Sequence, residues 1–228
     1  MGQHQPPVAV DGLLGLGRGS SVSLISQLKK EHAITKDVIS HCISKGGGGF
    51  LHIGDYQHSS STITWVHMNT NAPSGHYSPK FPGLLHYGSS EGPLISKDPI
   101  SVSFDSGSTF TYFTPQTYRL IEKMVTANLH KSFRKAHQIE DNTLDLCWVG
   151  PKKFKTIDEL KPFFKSIFLV FDEGNRKSIL EMAPENYLII SDRIGGGHCQ
   201  CHPPRRSDHQ YTMNLYSLRQ QGRFAMPS

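Results

Sequence analysis

Phe104-Asp105-Ser106-Gly107-Ser108-Thr109 follows the alternating run Ile100-Ser101-Val102-Ser103 and lies just before a helix start at Thr114-Pro115. The alternation puts Ile100, Val102 and Phe104 on one face of a strand and Ser101 and Ser103 on the other. Thr114 is a polar cap and Pro115 suits the first helical turn. Tyr118, Ile121, Val125 and Leu129 then recur on one helical face. The six residues are thus expected to bridge strand and helix, with the Asp105 carboxylate at a loop tip. A carboxylate that activates water needs a support of this kind. Gly107 allows a facing loop to approach closely, and hydroxyls at Ser106 and Ser108 can donate to the carboxylate and orient it. The same residue types also make ordinary turns, so the motif acquires meaning from its surroundings.

Working outward, a short helix is expected over 23–30, with Leu24, Ile25 and Leu28 on one face. Strands are expected over 38–43, 50–53 and 62–68, with the glycine run 46–49 as a hairpin connection. The polar stretch 69–75 contains Pro73 and is read as a lobe boundary. Beyond it, 76–87, 100–104, 166–171 and 187–190 read as strands. Thr156 with Glu159 three residues on reads as a capping box. After Ser191 the chain turns to glycine, histidine, arginine and proline without periodicity.

Composition narrows the class. The 228 residues are 36% hydrophobic and 19% charged, too apolar for a disordered chain. The 21 glycines and 14 prolines separate short runs rich in Ile, Val, Phe and Tyr, which suits a mostly β protein. A net charge of +5 and a pI near 9.0 raise nucleic acid as a partner. The basic residues are scattered, however, so a generally positive surface is the better account and no nucleic-acid partner is expected. No apolar run reaches the roughly 18 residues of a membrane helix, so no membrane association is expected. The stretch from Met1 to Val10 has no apolar centre of a signal peptide.

Two other motifs are weighed and set aside. Gly12, Gly15, Gly17 and Gly19 resemble a nucleotide loop, but no Lys-Ser/Thr follows, and Ser20 stands where a dinucleotide fingerprint needs glycine. His198, Cys199, Cys201 and His202, with His209 nearby, offer zinc ligands, yet their spacing lacks the repeat of a structural zinc site. No metal and no cofactor are expected.

The run from Asp105 to Phe113, together with Asp11-Gly12-Leu13-Leu14-Gly15-Leu16-Gly17 upstream, resembles the pepsin-like aspartic proteases. Several segments are similar to the plant nucellin-like branch of that family. They are His41-Cys42-Ile43-Ser44, Gly48-Gly49-Phe50-Leu51-His52-Ile53-Gly54-Asp55, Thr64-Trp65-Val66, His76-Tyr77-Ser78-Pro79, Leu146-Cys147-Trp148 and Pro184-Glu185-Asn186-Tyr187-Leu188-Ile189-Ile190-Ser191. The resemblance spans roughly residues 10 to 191. It implies a mostly β, pepsin-like bilobal fold that is incomplete here. On this division 1–75 is a C-terminal remnant of the N-lobe, 76–190 is most of the C-lobe, and 191–228 is a divergent, poorly ordered tail. It further implies an aspartic endopeptidase acting on peptide or protein substrate, and a secretory, extracellular or vacuolar location. By the same resemblance Asp105 is the second-lobe catalytic aspartate, with Ser106, Gly107 and Ser108 as its loop support and Thr109 bordering the substrate.

The departures matter as much. The family's first aspartate loop and its flap are expected upstream of Asp11, where this sequence has no room for them. The tail from Asp192 lacks the family's cysteine strand and supporting apolar-apolar-Gly-Asp segment, and reads as an altered frame or splice product. In the intact family Cys147 is expected to pair within the replaced region. It is therefore expected as a free thiol here, with Cys199 as the nearest substitute. The rival reading is a non-catalytic protein that holds peptides or another protease in its cleft.

Overall fold

The structure is a computed structural model that describes residues 14–18, 22–43, 49–54, 65–71, 75–107, 111–136, 147–152, 154–188, 190–191, 199–200 and 205–206. Strands β1 (Ile39–Ile43) and β2 (Gly49–Ile53) form an antiparallel hairpin behind helix α1 (Leu24–Lys30) in chain order. β3 (Gly83–Tyr87) follows, then β4 (Tyr112–Phe113) and helix α2 (Pro115–Asn128). Next come β5 (Arg134–Ala136), β6 (Cys147–Val149), a 3-10 turn (Ile157–Leu160), β7 (Ile167–Asp172) and β8 (Lys177–Met182). A short helix α3 (Pro184–Tyr187), β9 (Ile190–Ser191), β10 (Cys199–Gln200) and β11 (Arg205–Arg206) complete the described elements. The fold is mostly β, as the turn-rich, β-branched composition implies.

The core gathers around β7, which lies between β3 and β8 and is antiparallel to both. Ile167, Leu169, Val170 and Phe171 are buried, so β7 reads as the continuous apolar run of a doubly covered strand. Gly83 sits opposite Phe171 in the register, and a Cβ there would come within 2.4 Å of Leu169 Cδ1. Glycine at this position is what allows β3 to lie flat against its neighbour.

Helix α2 forms as its sequence dictates. The Thr114 hydroxyl accepts from the Thr117 amide at 3.3 Å, Pro115 occupies the first turn, and Tyr118, Ile121 and Val125 are buried. A ring cluster closes the other side of the core: Phe133 lies 5.1 Å from Phe163 and 5.5 Å from Phe164, and Trp148 lies 5.8 Å from Phe164.

Several local expectations change in three dimensions. The Thr156 side chain makes no capping hydrogen bond to the short turn that follows, while Glu159 accepts from the Lys155 amide at 3.1 Å and interacts with the Thr156 backbone. The expected strand 76–87 is broken, because Pro79 and Pro82 lack the amide hydrogens a ladder needs. Only Gly83–Tyr87 forms a strand there, with Tyr77 and Pro79 in isolated bridges. Tyr187 ends α3 rather than opening a strand. Within the tail, β10 pairs with β6 and β9, and β11 pairs with β4. Cys199 stands opposite Val149, two residues along β6 from Cys147. The remainder of 192–228 lies outside the described residues, as do the zinc-ligand candidates His198, Cys201, His202 and His209.

The connection 65–71 is tied to the turn between β7 and β8. Glu173, its side chain 7% exposed, accepts from the His67 amide at 2.8 Å and from His67 Nδ1 at 2.8 Å. Ser178 Oγ donates to Trp65 O at 2.6 Å, and the Arg176 guanidinium donates to the same carbonyl. Burial acts to raise the Glu173 pKa, but the His67 hydrogen bonds and the charges of His67 and Arg176 outweigh it, and the carboxyl sits below the usual glutamate range.

Ile121→Ala should destabilise the chain by about 2–5 kcal/mol in denaturant unfolding, because nothing fills the space beneath the helix. Ile179→Ala, at a side chain 43% exposed, should cost well under about 1 kcal/mol in the same assay. For Glu173 the folded pKa is depressed. Its contribution is therefore present above the ordinary glutamate range and lost as pH falls through that range to the folded value. Stability measured against pH should show this acid-side loss in the parent chain, and Glu173→Gln should remove that part of the slope.

Candidate functional site

Among the described residues, the segment before Asp105 is held by single bridges. Ile100 exchanges both backbone hydrogen bonds with Gly83 at 2.8 Å, and the Phe104 amide donates to Tyr77 O at 2.8 Å. The expected alternation holds at Val102, which is buried, and fails at Ser103. Ser103 is also buried, with its hydroxyl 3.1 Å from His76 Nδ1. A hydroxyl can occupy that inward position because it has a partner. The Phe104 ring meets Phe171 edge-on, with centroids 6.5 Å apart, so the residue before Asp105 is anchored on the central strand.

Asp105 then turns outward and is exposed, together with Ser106 and Gly107. Its Oδ1 accepts from the Gly107 amide at 2.8 Å, a local bond that fixes one carboxylate oxygen. A Cβ at position 107 would lie 3.2 Å from that oxygen, so the glycine keeps the amide and the carboxylate in register. Of the five expected site residues, the structure brings together Asp105, Ser106 and Gly107. Ser108 and Thr109 lie outside the described residues. Chain direction is recovered at Thr111, which is buried, and β4 leads directly into α2.

The surroundings contain features that local sequence pattern did not show. β11 runs parallel to β4, with Arg205 opposite Tyr112 and Arg206 opposite Phe113. Two tail residues therefore edge the strand that leaves the Asp105 loop. A cavity of about 180 Å³, lined by Ser96, Asp98, Ile100, Tyr112 and Thr117, opens beside β4, and Asp105 does not line it. The Tyr77 hydroxyl donates to Leu16 O at 2.5 Å. That contact joins the glycine-rich segment to the partner of Phe104 across 61 residues, a separation no periodicity can reveal. Among the described residues no three His, Cys, Asp or Glu side chains are grouped to hold a metal. None of the described helices is long and apolar enough to cross a membrane.

An exposed, backbone-fixed carboxylate on the end of a β segment can polarise a water molecule or accept its proton. It does the work of an acid–base pair only beside a second carboxylate. Comparison with known proteins bears on that possibility. Residues 2–55 match the family model described as xylanase inhibitor N-terminal. An aspartic proteinase of Oryza sativa subsp. indica is 45% identical over 190 residues, which is 82% of this chain and 45% of that protein. The proteinase of the same name in subsp. japonica is 45% identical over 187 residues, 81% of this chain and 44% of that protein. The chain thus spans about half the length of the relatives it matches. Among solved structures, basic 7S globulin from soybean aligns with a TM-score of 0.60 at 14% identity, over 94% of this chain and 50% of that one. Conglutin gamma, a basic 7S globulin from lupine seeds, aligns with a TM-score of 0.60 at 15% identity, over 90% of this chain and 52% of that one. At such identities the structural likeness speaks for the fold alone, an incomplete pepsin-like bilobal β fold. The identity to the Oryza proteinases and the N-terminal model match are the likenesses that point toward the pepsin-like aspartic proteinases.

Proposed function

We propose that this chain is the Asp105-bearing part of an aspartic endopeptidase of the nucellin-like branch, and that it does not cleave peptides by itself. The observation that carries the reading is the Asp105 carboxylate, presented at an exposed loop tip with one oxygen fixed by the Gly107 amide. The 45% identity to plant aspartic proteinases supports it. Peptide hydrolysis of this type needs two facing carboxylates that share one proton, because like charges a few ångströms apart resist joint ionisation. The ionised one takes a proton from water as that water attacks the carbonyl carbon. The neutral one donates toward the developing oxyanion. The proton then reaches the leaving amine, and no covalent intermediate forms.

The 228 residues contain one Asp-Ser/Thr-Gly triplet, at Asp105. Supplied with a second carboxylate, by a longer chain or in trans, Asp105 takes one of the two roles. Ser106 then ties the facing loops, Ser108 orients the carboxylate, and Thr109 borders the substrate. The substrate is a peptide or protein, and the protein's setting is the secretory pathway, the extracellular space or the vacuole. A second reading, a non-catalytic binding protein with a peptide-holding cleft, draws support from the match of 2–55 to a model described as a xylanase inhibitor domain.

Purified chain is expected to leave peptide substrates intact over about pH 3 to 7, the range in which a carboxylate pair can share its proton. Cleavage that a pepstatin-type inhibitor stops and Asp105→Asn abolishes would overturn the proposal and indicate two copies of Asp105 acting together. Asp105→Ala should change unfolding stability by less than about 1 kcal/mol, since the residue is exposed and makes a local bond. A larger loss in denaturant titration would mark Asp105 as a structural residue instead.

A further inference from the structure

Between the glycine-rich segment 14–18 and the Asp105 loop stands Tyr77, which touches both sides. Its main-chain oxygen accepts from the Phe104 amide at 2.8 Å, one residue before Asp105. Its side-chain hydroxyl donates to Leu16 O at 2.5 Å. The half-buried ring spans from one chain segment to the other. Burial lifts the Tyr77 phenol above its ordinary value, against the pull of the nearby Arg18 charge, so the hydroxyl remains a donor throughout the acid and neutral range.

The Leu16 end of this bridge is itself immobilised. The Arg18 amide donates to Gly75 O at 3.0 Å, and its guanidinium donates to the Asn69 and Thr70 carbonyls at 3.3 and 3.4 Å and to Met68 Sδ. Gly75 has φ of +75°, and a Cβ there would fall 2.7 Å from Arg18 O. The close approach of the two segments therefore requires glycine. Residues 16–18 run against 68–77 under five separate hydrogen bonds, two from backbone or phenol and three from one guanidinium.

We infer that Tyr77 is a positioning residue for Asp105: its hydroxyl locks the Phe104 backbone to the Leu16 carbonyl, so the glycine-rich segment sets where the carboxylate stands. The physical need is plain. Among the described residues the Phe104 backbone is joined to Tyr77 by an isolated bridge, and its ring rests on Phe171. Acid–base groups lose effect when displaced by a fraction of an ångström. A hydrogen bond anchored on a second, glycine-packed segment adds a fixed point to that position. This inference rests on reading Asp105 as the catalytic carboxylate. Its test reads the tie without requiring cleavage, so failure of either leaves the other to be judged separately.

The test uses the full chain and backbone-amide NMR. Tyr77→Phe deletes only the hydroxyl. The Phe104 amide should exchange roughly fivefold faster, the equivalent of one ordinary hydrogen bond. The Gly107 amide resonance, which reports the bond to Asp105 Oδ1, should shift. Tyr187→Phe removes a bond of the same kind, from the Tyr187 hydroxyl to Lys165 O at 2.6 Å, and should leave both signals in place. Gly75→Ala approaches the tie from the other end by pushing against Arg18 O, and should reproduce the Tyr77→Phe shift at Gly107. Unchanged Phe104 exchange and Gly107 resonance in Tyr77→Phe would overturn the inference. An equal response in Tyr187→Phe would overturn it too, by showing a general loosening and not a specific tie.

Discussion

The burial of β7 between β3 and β8 is the constraint on which the rest depends. Its side chains at Ile167, Leu169, Val170 and Phe171 have no solvent face to turn to, so both flanking strands must be present and in register. That register places Gly83 under Leu169 and Phe171. Gly83 then exchanges hydrogen bonds with Ile100, and the Phe104 ring meets Phe171. The Asp105 loop is therefore mounted on the most buried strand through one glycine and one pair of rings.

What stands on that mount is an exposed carboxylate. Asp105 is held by a short-range amide bond at an exposed tip, while Phe104 beneath it is fixed by contacts from β7 and Tyr77. This division suits a reactive group. Rigidity belongs to the residue that aims the loop, and openness to the exposed carboxylate at its tip. The parallel pairing of Arg205 and Arg206 with β4 adds a strand from the far end of the chain to the same region, so the sequence's least patterned stretch contributes backbone to the border of the site.

Much of the fold was legible locally. Helix α2 could be read from Thr114-Pro115 and the spacing of Tyr118, Ile121 and Val125, because capping and a 3.6-residue period are properties of neighbouring residues. The strand β7 could be read from its unbroken apolar run. Less legible was Ser103, an apparent outward serine that is buried against His76, and the stretch 76–82, where prolines break an otherwise strand-like pattern. The Thr156–Glu159 capping box has the right residues at the right spacing, yet the Thr156 side chain makes no capping bond and Glu159 also bonds the Lys155 amide. Motif spacing limits which bonds can form, while packing selects among them.

By itself the sequence determined the chemistry on offer: a carboxylate, a glycine and hydroxyls on one short stretch ahead of a helix. It also determined the class of fold, because burial periodicity and turn residues act over a few positions. Only the tertiary structure decided how that loop is held. The joining of Leu16 to Tyr77, of Tyr77 to Phe104 and of Phe104 to Phe171 connects residues separated by 61, 27 and 67 positions. Such contacts follow from which surfaces the buried sheet brings together, and no local pattern of residues encodes them.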